Sequence, residues 1–101
     1  MTNKLNINRY NLSNKKVLIT GAGGLLGEQH ARAILEVNGT VILTDINYSK
    51  LENLKKKLSK EFNKNKILSL KMDVSSEQSI KKSFNYLKKK NFFFDILINN
   101  A

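Results

Sequence analysis

A run of glycines stands where the sequence changes from a buried-strand pattern to a helical pattern. The segment Thr20-Gly21-Ala22-Gly23-Gly24-Leu25-Leu26-Gly27 follows the apolar run Lys16–Thr20 and precedes apolar residues at helical spacing. Glycine reaches backbone angles that side chains forbid, and it lets a ligand approach the chain closely. At a helix start, free N–H groups and the helix dipole attract anions such as phosphate. The segment predicts a phosphate-binding turn, although a glycine cluster alone is equally typical of a simple tight turn.

An acidic residue after the second apolar run makes this interpretation more specific. Asp45 follows Thr40–Thr44 and lies 18 residues after Gly27. If the two strands are neighbours in a parallel sheet, their carboxyl ends flank one crevice, where a carboxylate can accept hydrogen bonds from both hydroxyls of an adenosine ribose. It would also repel a 2′-phosphate, and the glycine turn contains no lysine or arginine to offset that repulsion. The pattern favours NAD over NADP; the alternative is that Asp45 caps the next helix near Asn47.

Four short apolar runs separated by helical patterns predict the order β-α-β-α-β-α-β. The predicted strands are Lys16–Thr20, Thr40–Thr44, Lys66–Lys71 and Phe94–Asn99. Such alternation is typical of right-handed crossovers onto a parallel sheet with helices on its faces. The predicted fold class is therefore α/β, a Rossmann-type three-layer sandwich whose partial parallel sheet has the strand order 3-2-1-4. Residues 1–101 would form the N-terminal part of one dinucleotide-binding domain, with 1–14 as a polar lead-in.

Each predicted helix combines an apolar stripe with a start signal. In the first helix we expect Leu25 and Leu26 to seat the helix start on the sheet and Gly27 to allow close packing. The second and third helices begin with capping-box spacings, Ser49–Glu52 and Ser75–Gln78. The predicted stripes are Leu26, His30, Ala33, Ile34 and Val37 in the first helix, Leu51, Leu54, Leu58 and Phe62 in the second, and Ile80, Phe84 and Leu87 in the third.

In its motifs the chain resembles the short-chain dehydrogenase/reductase family. The motifs are the glycine turn, Asp45, Asp73-Val74 after strand three and Asn99-Asn100-Ala101 after strand four, each at the carboxyl end of a strand. By this resemblance Asp73-Val74 lies against an adenine ring, and Asn99-Asn100-Ala101 ties the central strands together and lines the nicotinamide-ribose side. The implied cofactor-binding residues are Gly21, Gly23, Gly24, Leu25, Leu26, Gly27, Asp45, Ile46, Asp73, Val74, Asn99, Asn100 and Ala101.

The glycine spacing departs from the family's usual single-domain pattern. Gly21, Gly24 and Gly27 have the spacing of the extended, nucleotide-sugar-modifying branch, whereas Asn99-Asn100-Ala101 belongs to the single-domain branch. The resemblance implies an NAD(P)-dependent oxidoreductase that transfers hydride between nicotinamide and an alcohol or carbonyl substrate, nearest to single-domain enzymes that include those of surface-glycan biosynthesis. The alternatives are a nucleotide-sugar epimerase or dehydratase, a non-catalytic nucleotide-binding module, and a basic nucleic-acid-binding protein.

The family's catalytic Ser, Tyr-x-x-x-Lys and further Asn follow the Asn-Asn-Ala motif, so we expect no catalytic residue in this chain and no activity from it alone. The segment Tyr86–Lys90 matches Tyr-x-x-x-Lys literally, but it lies on the third predicted helix, away from the strand ends that face the cofactor. His30 is the only histidine, and we interpret it as a packed or partly exposed helix residue. We expect no metal site. We also expect poor solubility, because Phe92–Phe94 and Ile96–Ile98 would lie beside an open sheet edge.

Composition limits the partners that the chain can have. Its 101 residues include no cysteine and carry a formal net charge of +10, but only two of the 18 basic residues are arginine. The lysines concentrate in two helix-patterned stretches without the arginine forks and interleaved aromatics typical of nucleic-acid surfaces, so we expect solvated helix faces and no nucleic-acid partner. No segment approaches the roughly 20 apolar residues that span a bilayer. We therefore expect a cytoplasmic location and no membrane contact, while the resemblance implies a homo-oligomer for the complete enzyme.

Overall fold

A four-stranded parallel sheet flanked by three α-helices makes up residues 11–100, which are the residues that the computed structural model describes. The strand order β3-β2-β1-β4 confirms the predicted topology. The first ten residues of the predicted lead-in 1–14 lie outside the described residues, and so does Ala101. The elements are β1 Lys16–Ile19, α1 Leu25–Glu36, β2 Thr40–Asp45, α2 Tyr48–Ser59, a 3₁₀ turn at Lys64–Lys66, β3 Ile67–Lys71, α3 Glu77–Lys89 and β4 Ile96–Ile98.

The two central strands are the most apolar segments of the chain and also the most buried. In the β1–β2 register Val17 faces Val41 and Ile19 faces Leu43, and these side chains are fully buried. Strand β1 also pairs with β4, where Leu18 faces Leu97. A strand buried on both faces reads as a continuous apolar run, which is why β1 and β2 could be located from sequence. Strand β4 is shorter than predicted, because the pairing begins only at Ile96.

The helices divide between the two sheet faces, as the alternating pattern requires. Helices α1 and α2 cover the face that carries Val17, Ile19 and Val41. Helix α3 covers the opposite face, where Leu87 packs with Leu18, Ile42 and Met72. The predicted stripe of α2 is confirmed, since Leu51, Leu54 and Leu58 are buried and Phe62 is partly buried against the same cluster. In α3 Leu87 is buried, but Phe84 is 43% exposed.

The buried stripe predicted for α1 is wrong: Leu26 and Ala33 are exposed, and His30, Ile34 and Val37 are only partly buried. Leu25 and Leu26 are 76% and 54% exposed, so they do not seat the helix on the sheet. The buried positions are Gly27, Ala31 and Leu35, which recur every four residues on one helix face. A Cβ on Gly27 would lie 2.6 Å from the Cα atom of Ala22, so the helix approaches the turn too closely for a larger residue. The expectation that Gly27 allows close packing is therefore confirmed, and the bulky leucines point elsewhere.

The two predicted capping boxes are also corrected. Helix α2 begins after Asn47, whose side chain accepts a hydrogen bond from the Lys50 N–H, so Ser49 is a helical residue rather than the N-cap. Helix α3 begins after Ser76, whose hydroxyl oxygen accepts from the Ser79 N–H. In each case two neighbouring polar residues could have capped the helix.

A group of ion pairs joins the first two helices on one side of the sheet. The Glu28 carboxylate lies 3.2 Å from Arg32 Nε and 3.0 Å from Lys57 Nζ, and Arg32 also pairs with Glu61. The hydrogen bond from Lys57 lowers the pKa of Glu28 most, Arg32 adds to that effect, and partial burial opposes it. These contacts fix α2 against α1 beside the glycine turn.

Candidate functional site

The glycine turn leaves the N-terminus of α1 without a side-chain cap. Gly21 has a φ of 62°, the left-handed conformation that glycine adopts without strain. The turn closes through a hydrogen bond of 3.3 Å from the Gly24 N–H to the Gly21 carbonyl oxygen. Gly24 is the N-cap and supplies no side-chain acceptor, whereas α2 and α3 are capped by Asn47 and Ser76. The N–H groups of the first turn have no intrahelical acceptor, so they can bind an anion.

Asp45 connects the end of β2 to that turn. Its Oδ2 atom accepts a hydrogen bond of 2.9 Å from the Gly23 N–H, and its Oδ1 atom accepts one of 2.9 Å from the Asn47 N–H. Asp45 is therefore not the N-cap of α2, since the Asn47 side chain fills that role. The half-buried carboxylate lies between the glycine turn and the start of α2. This is the position that a ligand seated on the turn would contact.

Asp73 and Val74 follow β3 at the same edge of the sheet. The Met72 N–H donates to the Asp45 carbonyl oxygen at 3.0 Å, which places the two strand ends side by side. The Asp73 Oδ1 atom accepts hydrogen bonds from the Ser75 hydroxyl at 2.6 Å and from the Ser75 N–H at 2.9 Å. Both hydrogen bonds lower the pKa of Asp73, and the bond from the Ser75 hydroxyl has the larger effect. Asp73 therefore contributes a second negative charge at this edge.

A small cavity opens between the glycine turn and these two strand ends. Its volume is about 100 Å³, and its lining combines two carboxylates with apolar side chains and a glycine. Complete small-molecule sites measure about 300–1,000 Å³, so this cavity holds one part of a ligand and not a whole dinucleotide. The apolar members Ile46 and Val74 are 59% and 42% exposed, which leaves surface for an apolar ring to cover. The lining residues are Gly21, Asp45, Ile46, Met72, Asp73 and Val74.

Asn99 and Asn100 connect the end of β4 to the glycine turn through Thr20. The Thr20 hydroxyl donates to the Asn99 side-chain oxygen at 3.0 Å and accepts from the Asn100 N–H at 2.9 Å. The Asn100 side-chain amide donates to the Gly21 carbonyl oxygen at 3.3 Å. These bonds tie β4 to β1 at the edge where the glycine turn lies. Ala101, the third residue of the motif, lies outside the described residues.

Several residues at this edge carry no recognisable signal in the sequence. Ser75 orients Asp73, and Ser79 accepts the Asp73 N–H through its hydroxyl oxygen at 2.9 Å. Lys50 belongs to α2, yet its Cβ atom would lie 2.8 Å from a Cβ on Gly23. Lys50 lies outside the turn in the sequence, so the absence of lysine and arginine from the turn did not reveal it; its position depends on how α2 folds against the turn.

Tyr86 and His30, which were not expected to act in catalysis, lie apart from this edge. Tyr86 is near the end of α3, which runs from the strand ends back toward the opposite edge, and Lys90 Nζ lies 5.3 Å above its ring. His30 is half-buried on α1. Within residues 11–100, no group of three or more His, Cys, Asp or Glu side chains could hold a metal ion. No helix in that range is long and apolar enough to cross a bilayer.

A larger apolar cavity lies at the opposite edge of the sheet. It measures about 250 Å³ and is lined by aromatic and aliphatic side chains with one lysine stem. Its lining has no carboxylate and no helix N-terminus, and Lys88 is its only charged residue. Its lining is Phe84, Leu87, Lys88, Phe92, Phe93 and Phe94.

Comparison with known proteins agrees with this geometry. A family model described as short chain dehydrogenase matches residues 15–101. The post-translational flagellin modification protein A of Campylobacter coli is 34% identical over 90 residues, which are 89% of this chain and 35% of that protein. The chain therefore spans about a third of that relative.

Solved structures resemble the chain over the same part of their length. An oxidoreductase from Haemophilus influenza with bound NAD is 27% identical, with a TM-score of 0.77 over 90% of this chain and 32% of that one. A gluconate 5-dehydrogenase from Burkholderia cenocepacia in complex with NADP and tartrate is 26% identical, with a TM-score of 0.82 over 95% of this chain and 37% of that one. These two similar structures hold different nicotinamide dinucleotides.

Proposed function

The chain belongs to the short-chain dehydrogenase family, and from that membership we propose that residues 11–100 are the cofactor-binding half of an NAD(P)-dependent oxidoreductase. The proposed reaction is hydride transfer between the nicotinamide and an alcohol or carbonyl substrate. One observation carries the proposal. The uncapped start of α1, the Asp45 carboxylate and the cavity beside Asp73 meet at the carboxyl edge of a parallel sheet, where ligands of such folds bind.

The available groups fit a dinucleotide. The free N–H groups at the start of α1 suit a pyrophosphate, and the missing side chain at Gly27 brings the helix close to the turn. The Asp45 carboxylate has lone pairs left for a ribose diol, since each oxygen accepts one backbone bond. The cavity lined by Ile46 and Val74 suits an adenine ring, with Asp73 at its rim. Asn99 and Asn100 are proposed to line the nicotinamide side.

NAD is the preferred cofactor in this proposal. The Asp45 carboxylate can bond a 2′-hydroxyl and repels a 2′-phosphate. The Cβ atom of Lys50 lies beside Gly23, so the preference requires the Asp45 carboxylate to outweigh this one flexible lysine if its ammonium turns toward the ribose. We further propose that this chain alone binds the cofactor without turning over a substrate, because Tyr48 and Ser75, which lie at this edge, flank the proposed adenosine side of the site and not its nicotinamide side.

Calorimetric titration of the purified chain with NAD and with NADP tests the proposal. We expect NAD to bind more tightly, and Asp45→Asn to weaken NAD binding by about tenfold, the effect of losing a charged hydrogen-bond acceptor. Glu36→Gln is the matched control, because it makes the same change of charge at the far end of α1. A folded wild-type chain that binds neither dinucleotide would overturn the proposal.

A nucleic-acid partner is the competing explanation for the net charge of +10. DNA binding driven by charge alone weakens steeply as the salt concentration rises, whereas NAD binding at a specific site does not depend on such a loss of affinity with salt. Retention on DNA that survives physiological salt, together with no NAD binding, would favour that alternative.

A further inference from the structure

The contact between the glycine turn and Asp45 has a geometry that only glycine permits. The Gly23 N–H donates to Asp45 Oδ2 at 2.9 Å, so this amide is already bonded and is not free for a phosphate. A Cβ on Gly23 would lie 2.9 Å from the same oxygen and 2.8 Å from the Lys50 Cβ. Both distances are far shorter than ordinary van der Waals contact between nonbonded heavy atoms.

The neighbouring glycine differs in this respect. A Cβ on Gly24 would meet only the Gly21 carbonyl oxygen, at 3.7 Å, which is an ordinary contact. The requirement for glycine at position 23 therefore does not come from the turn itself. It comes from the end of β2 and the start of α2, which close over Gly23.

The second bond to Asp45 completes the arrangement. The Asn47 N–H donates to Oδ1, so the two carboxylate oxygens are held by backbone groups from two different elements. Hydrogen bonds to a charged acceptor are stronger and more directional than neutral ones. The carboxylate is thus fixed beside the cavity that Asp45 shares with Gly21 and Asp73.

We propose that Gly23 is a positioning residue for Asp45: its N–H and its missing side chain hold the carboxylate where it distinguishes a ribose diol from a 2′-phosphorylated ribose. This inference rests on the proposed function. It assigns the preference between NAD and NADP jointly to Asp45 and to the glycine that orients it.

Binding of both dinucleotides to Gly23→Ala tests the proposal on the whole chain. The variant is expected to lose about tenfold in NAD affinity and much less in NADP affinity, so that the NAD:NADP ratio falls toward one. In an Asp45→Asn background the same substitution should change the ratio by less than about twofold, because the group it positions is already altered. Ser59→Ala, at the far end of α2 and outside the proposed site, is the control and should keep the wild-type ratio.

The outcomes separate the inference from the proposed function. If the wild type prefers NAD through Asp45 but Gly23→Ala keeps the ratio, the positioning role is wrong and the proposed function stands. If Gly23→Ala lowers the ratio equally in both backgrounds, Gly23 acts independently of Asp45 and the inference fails. A folded wild-type chain that binds neither dinucleotide removes the proposed function and the role of Gly23 together.

A second measurement keeps the proposal testable if Gly23→Ala does not fold. In amide spectra of the cofactor-free chain, Asp45→Asn should move the Gly23 amide proton upfield, because a bond to a carboxylate is replaced by a weaker one. The Gly24 amide, which donates to Gly21, is the internal reference and should not move. An unchanged Gly23 amide proton would overturn the proposal.

Discussion

Gly27 and Ala22 lie so close together that a Cβ on Gly27 would be 2.6 Å from the Ala22 Cα atom. The nearest obstacles are backbone atoms of the turn, which cannot rotate away as the end of a long side chain can. The contact fixes the distance between the start of α1 and the end of β1. It therefore fixes where the free N–H groups of the helix face.

Gly27→Ala is expected to destabilise the fold by about 1–3 kcal/mol, the usual cost of overpacking a close contact. Urea unfolding followed by circular dichroism measures the change. Gly24→Ala is the control in the same turn, because its Cβ would meet only ordinary contacts. Its effect should stay below about 1 kcal/mol, since alanine is only a somewhat poorer N-cap than glycine. Equal destabilisation by the two substitutions would contradict the packing argument.

The Thr20 hydroxyl joins the ends of strands β1 and β4, so its removal is expected to weaken that link. Thr20→Val keeps the shape but removes the acceptor of the Asn100 N–H and the donor to Asn99. The Asn100 N–H is partly buried, so leaving it without this acceptor is expected to cost about 1 kcal/mol, the lower end of the range for an unsatisfied group. Faster hydrogen exchange at the Asn100 amide and a lower free energy of unfolding are the expected results. Thr20→Ser keeps the hydroxyl and should protect that amide as the wild type does; loss of protection in both variants would contradict the role of the hydroxyl.

The sheet could be predicted from sequence because its central strands are buried on both faces. Only apolar side chains fit the buried positions Val17 to Ile19 and Val41 to Leu43. Each central strand therefore appears in the sequence as a continuous apolar run. Asp45 could be found for a related reason, since it is the first acidic residue after such a run. The alternation of strands and helices predicted a parallel sheet, and the strand order 3-2-1-4 was expected by analogy with doubly wound folds.

The predictions that were wrong, and the residue that was missed, depend on where helices begin and on which segments pack against each other. Asn47 and Ser49 are both good caps by residue type, so the sequence alone did not distinguish them, and the structure has Asn47 as the N-cap. Leu25 and Leu26 are apolar, but hydrophobicity does not indicate whether a side chain faces the sheet or the open edge of a site. The contact of Lys50 with the glycine turn joins segments distant in sequence, so no local pattern could predict it.

Ser75 controls the charge of Asp73 in a way that titration can measure. Ser75→Ala removes the hydroxyl that lowers the pKa of Asp73 most and leaves the Ser75 N–H in place. The pKa of Asp73 should therefore rise part of the way to its ordinary value. Carbon-13 detected titration of the Asp73 carboxyl measures the shift. Ser49→Ala, on the exposed side of α2, is the control and should leave the Asp73 titration unchanged.

The same bond predicts a dependence of stability on pH. The folded pKa of Asp73 is lower than the unfolded one, so its contribution to stability is complete above the unfolded value and is lost as pH falls through the folded value. The Ser75→Ala variant should therefore lose less stability on acidification than the wild type. An equal acid-induced loss in the two proteins would show that the Ser75 hydroxyl does not stabilise the charged form.

Strand β4 has an apolar surface that predicts self-association of this chain. It pairs with β1 on one side only, and Leu97 and Phe93 are 54% and 61% exposed. An unpaired strand edge with apolar neighbours is a template for association between molecules. Sedimentation velocity at physiological salt should show concentration-dependent association that Leu97→Lys reduces. Tyr48→Lys adds the same charge on α2, where Tyr48 is 51% exposed, and should not reduce it. A wild-type chain that stays monomeric at all concentrations would contradict the predicted association. If both variants reduce association equally, its origin is not at β4, because net charge alone would then govern it.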